Sequence, residues 1–90
     1  MKIWLDDTRE APVGWEWVQD FQSAIFYLRM YREELEAVSL DHDLGGTKTG
    51  YDVICWMDAN NIWTDDIRIH SMNPVGRQRI QQVIDKHVVE

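Results

Sequence analysis

The sequence has one cysteine, no internal repeat or low-complexity tract, no long apolar run, and few basic residues: 9 against 16 acids, a net charge of −7. A lone Cys55 excludes an internal disulfide. Set inside a helical pattern, it reads as a small buried apolar residue and favours a reducing compartment. The opening MKIWLDD gives one lysine and a short apolar stretch before the first acid, too little for a signal-peptide core or a membrane span, so a cytoplasmic location is expected. The shortage of basic charge excludes long-range attraction to extended nucleic acid or an anionic membrane, and any phosphate ligand must be held locally. What is present is enough for one core: 90 residues, 44% of them apolar and five of them tryptophan, are expected to form a single domain over 1–90 with tryptophan mainly inside.

Lys2 to Leu5 and Ala37 to Leu40 are short apolar runs ending in acids, the pattern of central parallel strands. Trp15 to Gln19 is a weaker strand. After Asp20, a capping residue, Phe21, Ala24, Ile25, Leu28, Tyr31 and Leu35 keep the three-and-four spacing of one helical face. A second helix starts at TGYD, where Thr49 and Asp52 form a capping box, and runs toward Asn60 and Asn61. Ile67 to Ser71 alternates like an edge strand. The third helix opens with Asn73 as cap and Pro74 at its first position, with Ile80, Val83, Ile84 and His87 along one side. The order β, β, α, β, α, β, α predicts a three-layer α/β fold with a four-stranded, mainly parallel sheet and three helices.

In such sheets ligands bind beyond the carboxyl ends of the strands, and Asp6, Asp7, Asp41, His42, Asp43, His70, Ser71 and Asn73 all fall there. Carboxylates at the ends of neighbouring strands repel unless a cation bridges them or one takes a proton, so Asp6, Asp7, Asp41 and Asp43 are candidate ligands of a divalent metal. Oxygen donors favour Mg²⁺ or Mn²⁺; an imidazole in the set moves the preference toward Mn²⁺ or Zn²⁺. Alternation along the backbone sends neighbouring acids to opposite sides, so not all four need touch the ion. For any single acid a turn or cap role is the plain alternative. His42 and His70 are candidate general acid and base, against a structural role in which each only bonds the backbone. His87, alone on an apolar stripe, is read as structural. The start of the third helix in SMNPVG is an expected anion site, with Arg77 one turn in and Arg9 closing from the other side; ordinary solvated surface is the alternative for both arginines.

These motifs resemble the receiver superfamily of two-component signalling: an acidic pair after the first strand, Asp41 after the third, and TGYDVICWM like the receiver's helix start. The short TREAPVG stands in place of a helix between the first two strands, no fifth strand with its lysine follows, and His70 stands where a small hydroxyl residue is usual. WLDDTR, SLDHDLG, TGYDV and HSMNPVGR are more closely similar to the cyclic-phosphate processing receiver-like domain of bacteria and phages. That resemblance implies a reduced receiver-like (flavodoxin-like) fold that processes a cyclic phosphate, such as a 2′,3′-cyclic phosphate RNA end or a small cyclic nucleotide. On it, Asp6, Asp7, Asp41 and Asp43 hold the metal and His42 and His70, with Asp41, carry the chemistry. Arg9, Ser71, Asn73 and Arg77 bind the phosphate. The acidic balance favours a small ligand over a long RNA.

Three other readings stand beside this one. The protein is a phosphoacceptor receiver modified at Asp41, a nucleotide-binding protein without catalysis, or an interaction module whose edge strand at Ile67 to Ser71 offers a second copy a place to pair.

Overall fold

A computed structural model describes residues 1–89. Four strands, β1 (Lys2–Leu5), β2 (Glu16–Val18), β3 (Ala37–Leu40) and β4 (Ile67–Ile69), pair entirely in parallel in the order β2-β1-β3-β4. Three α-helices, α1 (Phe21–Met30), α2 (Gly50–Asn60) and α3 (Pro74–Val89), complete a reduced receiver-like α/β fold. β4 lies at the sheet margin, as its alternation requires, but ends at Ile69. No helix is long and apolar enough to cross a membrane among the described residues.

The side-chain period of two splits each strand between two environments. Ile3, Leu5, Val18, Val38 and Leu40 form one cluster with Ala24 and Leu28 of α1, Val53, Ile54 and Met57 of α2, and Ile80 of α3. All three helices therefore cover the same face of the sheet. The opposite face carries Lys2, Trp4, Trp17, Ser39 and Arg68, and its covering layer consists of side chains in place of helix. Trp15 meets Trp4 edge to face at 6.1 Å, while Lys2 and Arg68 lie 5.8 and 5.1 Å from the Trp15 ring centroid. The cause is the short β1–β2 connection, which has no residues to spare for a crossover helix.

The receiver-like α/β fold is as expected, but its three layers reduce to two, helices and sheet, and the arrangement corrects three further expectations. None of the five tryptophans is fully buried: the core is aliphatic, and three indoles roof the helix-free face. Cys55 is half-buried. α1 stops at Met30, and a 3₁₀ turn over Arg32–Glu34 takes the chain back to β3, leaving Leu35 packed on the core from outside the helix. That turn is also where the Met1 ammonium is tied, to the Glu34 carbonyl and the Glu36 carboxylate at 2.6 and 2.7 Å.

α2 begins as its sequence dictates: Thr49 and Asp52 satisfy each other's backbone donors in a capping box. Gly50 has a further reason. A Cβ there would overlap the Asp41 carbonyl, and its N–H donates to the His42 carbonyl at 2.9 Å, so the helix start is clamped against the Asp41–His42 peptide.

Candidate active site

Asp6, Asp41 and His70 follow three adjacent strands, β1, β3 and β4, and their alternation places all three on the helix-free face. One ligand atom from each lies within 4.8 Å of the others. Asp6 is only 2% exposed and heavily bonded: Oδ1 accepts from the backbone N–H of Arg9 at 2.7 Å and of Thr8 at 3.0 Å, and Oδ2 faces His70 Nε2 at 3.1 Å. Burial pushes this carboxyl up, but the two amides and His70 together outweigh it and hold Asp6 below its ordinary range. Asp41 goes the other way. Burial raises it first and the neighbouring Asp6 charge adds to that, against smaller opposing contributions that include a hydrogen bond with Ser71. The two carboxyls thus differ in proton affinity: Asp6 is held ionised more firmly than usual and Asp41 less so.

His70 is fixed on both nitrogens and on one ring face. With Asp6 accepting, the proton sits on Nε2, and Nδ1 accepts from the Ser39 hydroxyl at 2.7 Å. The ring stacks on Trp4 with centroids 3.8 Å apart and planes within 7°. Burial lowers its pKa despite the pull of Asp6. Ser39, at 2% exposure beneath the two rings, is a positioning residue and has no open path to a substrate.

The other site candidates stand around this core. The Asp7 carboxylate lies against Gly45, and Asp43 is exposed, receiving Asn73 Nδ2 at 3.5 Å and facing His42 Nδ1 at 3.2 Å; neither belongs to the converging set. His42 packs its ring on Gly76, where a Cβ would overlap it, so it joins the 41–49 loop to α3. Ser71 is buried, accepts from the Asn73 N–H at 3.1 Å and offsets part of the rise in the Asp41 pKa. Asn73 caps α3 through Oδ1 to the Gly76 N–H at 3.0 Å, and its carbonyl accepts from Arg77 N–H. With Pro74 lacking an N–H, the first turn is largely satisfied by its own residues, and the expected anion site is narrower than the motif suggests. Arg77 Nη1 donates to the carbonyls of Ile69 and Ser71 at 2.9 and 3.1 Å, which staples the β4–α3 loop. Arg9 pairs loosely with Asp6, 4.0 Å from its Oδ2, and at 58% exposure its side chain is accessible from solvent.

Ser39 and Trp4 were not singled out by sequence reasoning. A serine inside the otherwise apolar run AVSL was the available signal, but its partner His70 is set by strand register.

A family model described as a cyclic-phosphate processing receiver domain matches residues 1–86. The chain belongs to that family. No curated protein and no solved structure is found to match it. With only three helices, all on the other face, the site of this receiver domain is bounded on the bare side of the sheet by the Trp4 indole.

Proposed function

We propose that this protein hydrolyses a cyclic phosphodiester, in a metal-dependent reaction, at Asp6, Asp41 and His70. The observation that carries the reading is the convergence of two carboxylates and one imidazole, from the ends of three adjacent strands, within 4.8 Å. The donor set fits a divalent cation: two carboxylates and one imidazole would hold it, and the nitrogen favours Mn²⁺ or Zn²⁺ over Mg²⁺. Bound there, it would polarise a phosphoryl oxygen and acidify a water. The Ser39 hydroxyl both donates and accepts, so His70 Nδ1 can carry the ring proton whenever Nε2 is needed as a ligand. Thr8 and Arg9 amides keep the Asp6 carboxylate oriented.

In the reaction a water oxygen forms the new bond to phosphorus as the bond to the sugar oxygen breaks. Asp41 takes one proton from that water and returns it to the leaving oxygen, giving a phosphomonoester. Arg9 neutralises charge on the phosphoryl oxygens. A small cyclic nucleotide or the 2′,3′-cyclic end of an RNA supplies such a bond, and the charge of −7 favours the smaller ligand.

The test is incubation of the pure protein with a panel of cyclic phosphates and Mg²⁺, Mn²⁺ or Zn²⁺, beside Asp41→Ala and His70→Ala. A phosphomonoester formed by the wild type, and lost in both variants and with chelator, is expected. If no cation supports turnover of any member of the panel, the reading is rejected.

A further inference from the structure

Parallel sheets are normally covered on both faces, and here one face is roofed by tryptophan at the end where the candidate site lies. Trp17, Trp4, Ser39 and Arg68 stand in one row across the four strands. Two residues further along each of the inner strands come Asp6 and Asp41, and two beyond Arg68 comes His70. The backbone positions of the row therefore lie about 6.6 Å below those of Asp6 and Asp41, a spacing of the same order as that between the phosphate and the base of one nucleotide. Trp17 is the exposed indole of the row, at 37%, and its orientation is fixed because Nε1 donates to the Asp6 carbonyl at 2.8 Å. Trp4 is held likewise, Nε1 to the Arg9 carbonyl at 3.0 Å. Both rings are pinned by backbone of the same segment that supplies Asp6, so a flat apolar surface is pre-arranged beside the charged cluster.

We infer that this helix-free face seats a nucleobase: Trp17, next to Trp4, stacks the base of a nucleotide whose phosphate lies at Asp6, Asp41 and His70. The inference rests on the hydrolytic reading for the place of the phosphate. Three features favour a base over another occupant. Stacking on an indole needs no basic surface, which suits a chain of net charge −7. The Arg9 backbone carbonyl holds Trp4 while its guanidinium lies 4.0 Å from Asp6 Oδ2, so a cation is at hand for a phosphate attached to that base. The face is also continuous with the cluster through the Trp4–His70 stack.

The experiment compares two ligands of one reactive group. 2′,3′-Cyclic AMP carries a base and glycerol 1,2-cyclic phosphate does not; a trinucleotide ending in a 2′,3′-cyclic phosphate separates a free nucleotide from an RNA end. Wild type is expected to bind the nucleotide about 10-fold or more tighter than the baseless ligand, in the range of base-aromatic stacking. Trp17→Ala removes that advantage and leaves affinity for glycerol 1,2-cyclic phosphate unchanged; Trp17→Phe restores most of it. Equal affinity of wild type for the two ligands, or nucleotide binding unchanged in Trp17→Ala, overturns the platform. Turnover of the baseless ligand at full rate with no preference leaves the hydrolytic reading standing while the platform falls. Nucleotide binding sensitive to Trp17 without turnover does the reverse. Because the wild-type comparison needs no variant, poor folding of Trp17→Ala does not spare the inference. Concentration-dependent dimerisation that buries Trp17 and is insensitive to nucleotide also overturns it.

Discussion

The imidazole of His70 lies flat on the indole of Trp4, centroids 3.8 Å apart, although 66 residues separate them in the chain. The pairing exists because β1 and β4 flank β3 and present both side chains on the same face above Ser39. Burial is the leading cause of the lowered His70 pKa, and the indole covers one face of the ring. Trp4→Ala admits water and leaves Asp6 in place, so the His70 pKa should rise; ring-proton chemical shifts followed against pH in chelated protein read it directly. An unchanged or lower value would mean that the indole does not set the local dielectric.

His70 also sets a sign for stability. A histidine whose folded pKa lies below its unfolded value of 6.5 is disfavoured as a cation in the native state. The unfolded chain then binds more protons below pH 6.5, and this contribution is full at neutral pH and lost as the pH falls. Denaturant unfolding of wild type between pH 7 and 5 should show falling stability, and His70→Gln should flatten that slope.

Much of this site was legible in the chain. Apolar runs ending in acids located β1 and β3, and helices between strands dictated a parallel sheet, which brings Asp6, Asp41 and His70 to one rim. The environment of each group was not legible. Asp7 and Asp43 look equivalent to Asp6 and Asp41 in sequence, yet only the latter two are on the face turned toward His70. His42 reads like His70 until Gly76 is seen to accommodate its ring. The tryptophans misled for a related reason: large apolar rings predict core, but a connection too short for a helix left them as the roof itself.

Ser39→Ala tests the buried support of the imidazole. The hydroxyl is the partner of His70 Nδ1, and at 2% exposure water is not at hand to replace it. Leaving that nitrogen unsatisfied should cost about 1–3 kcal/mol of stability by urea unfolding. On the proposed reaction, turnover should fall further than substrate affinity, because a loosened ring loses its orientation while Arg9, the proposed phosphate contact, is untouched. Equal loss in both would assign Ser39 to general packing.

Gly50→Ala probes how α2 holds the site. The added methyl meets the Asp41 carbonyl and carbon of a clamped strand end, with no flexible side chain able to yield. A loss of roughly 1–3 kcal/mol is expected from overpacking, with cation affinity reduced because Asp41 is displaced. Gly50→Ala with wild-type stability and cation binding would show that the helix start does not fix Asp41.

Asp41→Asn separates stability from chemistry. Its carboxyl is raised above its ordinary value of 3.8 by burial and by the Asp6 charge, so ionising it penalises the folded state. The penalty begins above the unfolded pKa, is complete above the folded one, and is therefore fully present at pH 7. Asparagine keeps an acceptor for Ser71 and removes the like charge beside Asp6. The variant should melt higher at pH 7 in chelated protein, by about 4–8 °C for each kcal/mol recovered in a domain of this size. The gain should shrink as the pH is lowered toward and below 3.8, since the carboxyl becomes neutral in both states only below its unfolded pKa. Turnover should be lost at every pH, since the amide cannot carry the proton of the attacking water. A variant that melts lower than wild type at neutral pH would show that the carboxylate is already compensated in the native site, and the division of labour between Asp6 and Asp41 would have to be reversed.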